Sequence, residues 1–222
     1  MRGRAPIAVL LVLALGAACS HAGGSAGATP TPTGLAAGTY TSQAFQPSLT
    51  FTVPAGWELA ADEPDYLEIR PLGSEVTGIH LFRDPAAASQ DASCPESPEP
   101  AVGGTSSELS AWIRGRPGFV AGTPLMASVG RLLGVQFDLG IATGWTPSCP
   151  FANGSPTVPL FVGAQGGYRW VVAGNERLRL YLLDVPGGGT VVVDIDAFDG
   201  TLIDGLLSAA TPIVESFVFA TS

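Results

Sequence analysis

RLRLYLLDV at 177–185, PGGG at 186–189 and TVVVDIDA at 190–197 form the stretch that decides the fold. Two runs with apolar residues on period two lie naturally as strands. The three glycines between them supply the positive φ of a tight hairpin turn. Pairing Val185 with Thr190 puts Leu178, Leu180 and Leu182 on one face with Val191, Val193 and Ile195. The same register sets Arg179 opposite Asp196 and Arg177 diagonal to it, on a polar outer face. A hairpin of this kind needs an antiparallel sheet around it.

That sheet extends in both directions along the chain. Strands are expected at 132–141, 160–162 and 168–173 before the hairpin, and at 49–53, 66–69 and 76–82 nearer the N-terminus. Pro54 and Gly56 turn the chain into a run opened by Trp57. Two helices interrupt the strands. Thr105 and Glu108 match a capping box, Leu109, Trp112 and Ile113 share one face, and Pro117 stops the run, so a helix is expected over 106–116. Arg114 and Arg116 should point to solvent near its C-terminus, where the helix dipole favours positive charge. Asp199 should cap a second helix near 200–210 with an apolar face of Leu202, Ile203, Leu206 and Leu207, and Pro212 at its end or last turn. Residues 213–219 should close the chain as a short buried piece ending in a strand. The expectation is a single α+β domain over 38–222, an antiparallel sheet with two main helices.

Two Pro-rich stretches, 84–104 and 144–159, lack periodicity. Each holds one cysteine, Cys94 and Cys149, each followed by proline, which biases the preceding residue toward an extended backbone. A bridge between them closes a loop of about 55 residues, worth about 4 kcal/mol in the chain-entropy picture. Joined in this way, the two stretches bring Trp145 and Phe151 to a scaffold-held loop surface suited to binding.

The N-terminus carries an address. Arg2 and Arg4 precede an uncharged, mostly apolar run that ends in small residues, as in a secretory signal over 1–18. LGAAC at 15–19 resembles the lipobox of bacterial lipoproteins, which are cut before a cysteine that carries lipid. The third cysteine, Cys19, fits that role: Cys94 and Cys149 pair in an oxidising compartment and leave it alone. The alternative is ordinary cleavage after Ala18 and a secreted protein. Residues 19–37, of Gly, Ala, Ser, Thr and Pro with few large side chains, read as a tether. The expected place is the cell envelope, on the outer face of a bacterial membrane, with the lipid as the membrane contact.

Charge and residue types exclude several chemistries. The net charge is −9 and all ten basic residues are arginine, which leaves no basic footprint for nucleic acid. Without lysine there is no Schiff base and no Walker loop. Only His21, in the tether, and His80 are available as imidazoles, and His80 is expected at a sheet surface. The acids Asp194, Asp196 and Asp199 suggest calcium, but Phe198 stands where the third alternate ligand belongs. Hairpin pairing and helix capping account for these acids without a metal. No cofactor is expected.

The chain resembles the Mog1/PsbP-like group in the order of its parts. A strand runs into Pro54, Gly56 and Trp57; a Trp-bearing helix precedes Gly118 and Phe119; a strand around Gly134 leads to the hairpin; and a helix runs into ESFVF at 215–219. The resemblance spans about residues 40–219, with the Pro-rich stretches as insertions. It implies a binding theme and carries no catalytic residue across. The leading expectation is therefore a membrane-tethered, non-enzymatic binding or interaction domain for a protein or small molecule. Its rivals are an exported hydrolase built on carboxylates such as Asp84, Glu96 or Asp138, and a purely structural envelope protein.

Overall fold

Strands β12 (Arg177–Asp184) and β13 (Thr190–Ala197) occupy the middle of an eight-stranded antiparallel sheet. The computed structural model describes residues 34–163 and 168–220. The stretch read as a signal, Cys19 and the stretch read as a tether up to residue 33 lie outside the described residues. Around the central pair run β3 (Trp57–Asp62), β4 (Tyr66–Pro71) and β5 (Gly78–Arg83) on one side, in the order β3-β4-β5-β13. On the other side β12 pairs with β9 (Leu132–Ile141), which also takes β7 (Phe119–Ala121) and β8 (Leu125–Val129).

Two smaller three-stranded sheets complete the strands. One joins β1 (Gly38–Thr41), β2 (Leu49–Val53) and β14 (Val218–Phe219). The other joins β6 (Pro85–Ala87), β10 (Thr157–Gly163) and β11 (Arg169–Ala173). With α1 (Ser106–Arg114) and α2 (Ile203–Glu215) the result is the expected antiparallel α+β domain with two helices. Leu35 donates its N–H to the Trp57 carbonyl, so the folded unit reaches a few residues into the stretch read as tether.

The small sheets and helices cover the central sheet on both faces. Val191, Val193, Ile195, Tyr181 and Leu183 pack in one core with α2 and the β1-β2-β14 sheet. Val192, Leu178, Leu180 and Leu182 pack in the other with α1 and the β6-β10-β11 sheet. This corrects the expected hairpin register. Asp184, not Val185, pairs with Thr190, and Leu178 pairs with Asp196. Val185 instead donates its N–H to Gly189 and closes a shorter turn, in which Gly187, Gly188 and Gly189 all take positive φ. A slip of one residue exchanges the faces. Leu178, Leu180 and Leu182 therefore share a face with Asp194 and Asp196, and that face is buried.

The helices follow their caps. Thr105 Oγ1 accepts from the Glu108 N–H and Glu108 accepts from the Thr105 N–H, the reciprocal box that starts α1. Ser106 donates from its N–H and its hydroxyl to Asp184, at 2.8 and 2.6 Å, docking α1 against the hairpin end. Asp199 caps a short 3-10 turn, Gly200–Leu202, ahead of α2. That turn rotates the helix, so its buried face is Leu206, Ala210, Ile213 and Val214, while Leu202, expected inside, is exposed. Pro212 sits in the last turn of α2.

Close packing makes one glycine critical. A Cβ at Gly134 would fall on the Leu182 carbonyl oxygen, which the central ladder holds in place. At Gly205, exposed on α2, a Cβ would meet nothing within 4 Å. Gly134→Ala should cost at least about 2 kcal/mol of stability, and Gly205→Ala should add about 0.5–1 kcal/mol. Urea denaturation of the two variants checks both signs.

Candidate functional site

Cys94 and Cys149 form a disulfide with their Cα atoms 5.6 Å apart. It joins the two irregular stretches above the edge of the small β6-β10-β11 sheet. Cys149 donates its N–H to Thr157 Oγ1 at 2.6 Å. Cys94 closes a turn by donating its N–H to the Asp91 carbonyl, and it takes φ +50 rather than the extended backbone expected before proline. The turn and the bridge together hold this left-handed conformation. Arg169 of β11 fastens both stretches to the sheet: it donates to the Cys94 carbonyl at 2.8 Å, and its guanidinium lies 4.1 Å from the Phe151 ring centre.

A cleft of about 300 Å³ opens beside the bridge, lined by the disulfide, Trp145, Arg116 and the prolines Pro117, Pro147 and Pro159. Trp145 is fixed by an indole N–H bond to the Thr157 carbonyl at 3.0 Å. Gly118 makes room for it, since a Cβ there would sit 2.9 Å from the indole. Arg116 departs from the expected solvent-facing position. The helix ends at Arg114, Gly115 caps it, and Arg116 turns back so that its guanidinium lies 5.6 Å from the Trp112 ring centre. Its Nε is buried and has no hydrogen-bond partner among the described residues, while Arg114 is exposed as expected. Phe151 is not part of the cleft wall; it lies exposed over Arg169.

A second group of functional side chains lies under β11. Asp194, Asp196, Glu176 and His80 are all buried. His80 was expected at a sheet surface, but the β6-β10-β11 layer covers that face, and the Trp170 ring centre is 4.6 Å from the imidazole. Its Nε2 faces Asp196 Oδ1 at 3.1 Å and its Nδ1 faces Tyr66 Oη at 2.9 Å. Tyr66 donates to Glu68. Trp170 donates its indole N–H to Asp194 at 3.0 Å. Glu176, in the turn between β11 and β12, accepts from the Ala173 N–H at 2.7 Å.

Burial dominates the acid–base character of this group. Loss of solvent, followed by the charge of Asp196, pushes the Glu176 carboxyl up to about 10, against the opposing Ala173 N–H. The same two causes hold Asp194 well above the carboxylate range despite the Trp170 N–H. At about 10, Glu176 stays protonated near neutrality. Burial, then Glu68, keeps the Tyr66 hydroxyl far above the ordinary phenol value.

The carboxylates named for a hydrolase are not brought together. Asp84 pairs with Arg83 and accepts from the Thr190 N–H, Glu96 lies 3.7 Å from Arg169, and Asp138 pairs with Arg179 at 2.7 Å. Arg179 thus reaches across to β9, not to Asp196, and Arg177 lies opposite Ala197 and Gly140. Among the described residues no group of three or more His, Cys, Asp or Glu side chains is placed to hold a metal ion.

Sequence reasoning expected the Cys94–Cys149 bridge, which the structure contains, and named Trp145 near it; it did not single out Arg116, Glu176, Tyr66 or Trp170. For Asp194 and Asp196 a signal existed: acids two apart on a central strand share one face, and here that face is interior. Neither the protein-family models nor the curated proteins give a match to this chain.

The raised acids fix a pH dependence. The folded state keeps a proton at Glu176 that the unfolded chain releases above its ordinary carboxyl value, 4.5. Stability from this group is complete below that value and declines as pH rises toward the folded value of about 10. Urea unfolding should show lower stability at pH 9 than at pH 6, with a limiting slope of about 1.4 kcal/mol per pH unit from Glu176. Glu176→Gln should flatten that slope; an unchanged slope would contradict the assignment.

Proposed function

We propose that this protein is a binding module tethered to the outer face of a bacterial membrane, with its ligand seated in the cleft beside the Cys94–Cys149 bridge. The observation that carries the reading is the cleft itself. It is framed by the disulfide, Trp145 and three prolines, and Arg116 lines it beside Gln90, Asp91, Ser148 and Thr157. A concave site with apolar walls and a few placed polar groups is the ordinary form of a small-ligand pocket. The matching ligand has a flat apolar part for Trp145 and an acceptor, such as a carboxylate or sulfonate, for Arg116. The hydrolase reading has less support, because Asp84, Glu96 and Asp138 each pair with a different arginine.

The tether reading rests on Arg2, Arg4, the apolar run and Cys19, with the odd cysteine as its main support. Assignment to the Mog1/PsbP-like group, with 84–104 and 144–159 as insertions, belongs to the same proposal. It is supported by the Pro54 to Trp57 turn, the order of the two helices and the C-terminal strand.

Mass spectrometry of the membrane fraction should find an N-terminus at Cys19 carrying acyl mass. A protein recovered wholly from the medium would defeat the tether.

For the cleft, anilinonaphthalene sulfonate joins aromatic rings to an anion and serves as a probe. Its fluorescence titration should show saturable binding that weakens about tenfold in Arg116→Gln, the loss expected for one charge-assisted hydrogen bond. Equal binding by wild type and a normally folded Arg116→Gln would reject the site.

A further inference from the structure

A different cavity, of about 320 Å³, opens where the β4–β5 hairpin meets β11. Its walls are the rings of Tyr66, Phe82, Tyr168 and Trp170, and its remaining lining is Glu63, Asp65 and Arg169. We propose that it is a site for an organic cation of the quaternary-ammonium class, separate from the disulfide cleft and independent of the reading given to that cleft.

The rings pack on one another as one cluster along this half-open cavity. Phe82 lies 5.4 Å from Tyr66, 5.4 Å from Tyr168 and 5.1 Å from Trp170, and Tyr66 lies 6.5 Å from Tyr168, all by ring centres. None of these pairs is parallel. Aromatic faces carry the negative end of the ring quadrupole, and a cage of them attracts a cation that is too weakly hydrated to hold its water.

Two of the rings are held from behind. Trp170 is anchored by its N–H to Asp194, and Tyr66 by its hydroxyl to Glu68 and His80. Glu68 is itself braced by Arg70 at 3.1 Å. Rings fixed in this way lose little freedom when a ligand enters.

The charges favour a cation over a neutral guest. Glu63 and Asp65 lie exposed in the β3–β4 turn, and among the described residues neither is in an ion pair. The one cation in the lining, Arg169, is engaged elsewhere, by the Cys94 carbonyl, the Phe151 ring and Glu96. The net charge of −9 adds a general attraction for cations. A quaternary amine such as choline fits these features.

The experiment is calorimetric titration of the purified protein with choline and with 3,3-dimethylbutanol, its neutral isostere. Choline should bind at least about tenfold more tightly, because only the charge distinguishes the two guests. The double variant Glu63→Gln, Asp65→Asn alters exposed side chains only and should weaken choline about threefold or more while leaving the isostere unchanged. Tyr168→Leu, which removes one wall, should weaken choline further. Absence of choline binding, equal binding of the isostere, or indifference to the rim variant would each overturn the proposal. Anilinonaphthalene sulfonate bound in the disulfide cleft should not compete with choline, so failure of either site is read separately.

Discussion

The central hairpin is covered on both faces, and that constraint organises the rest of the molecule. Every side chain of β13 is buried, with the α2 side taking Val191, Val193 and Ile195 and the α1 side taking Val192. Asp194 and Asp196 fall on the α1 side because of the register, and no solvent reaches them there. A buried carboxylate must be neutralised or paired. This protein does both: burial raises the Asp194 carboxyl and pushes Glu176 up to about 10, while Asp196 Oδ1 accepts the Gly78 N–H and faces His80. The polar group then becomes an anchor, since Trp170 and Tyr66 are fixed through it.

Strand β11 carries this anchoring outward. Successive side chains on a strand leave opposite faces. Trp170 goes down to Asp194, while Arg169 reaches the Cys94 carbonyl and the Phe151 ring. One short strand therefore connects the buried acids to the disulfide-bridged segments. Those segments contain few residues able to order themselves by burial, so the covalent bridge and Arg169 replace a core there. The same bond that orders them leaves a cleft with Trp145 and Arg116 on its wall.

Much of the architecture was legible. The strands at 132–141 and 190–197, the capping box at Thr105 and Glu108, the Asp199 cap and the closing strand near Phe219 all follow from period and cap chemistry, which act within a few residues. The short edge strands β6, β7 and β8 were not legible, because three to five residues carry too little period to stand out from loop. Turn length was the costliest misreading. Whether Val185 belongs to the strand or to the turn is a local choice of one residue, yet it exchanges the two faces of the hairpin and sends two aspartates inward.

The sequence by itself determined the class of fold, the position of both helices and the two cysteines of the body, because hydrophobic period, helix caps and cysteine positions are properties of nearby residues or of composition. Only the tertiary structure decided which polar residues are interior. His80, Glu176 and the Asp194–Asp196 pair come from three separate stretches of the chain and meet because β5, β13 and the β11–β12 turn converge beneath a second sheet. The aromatic cavity has the same origin, since Tyr66, Phe82 and Trp170 come from three different strands. Contacts between distant segments depend on register and on what covers each face, and neither quantity is written in any single stretch of sequence.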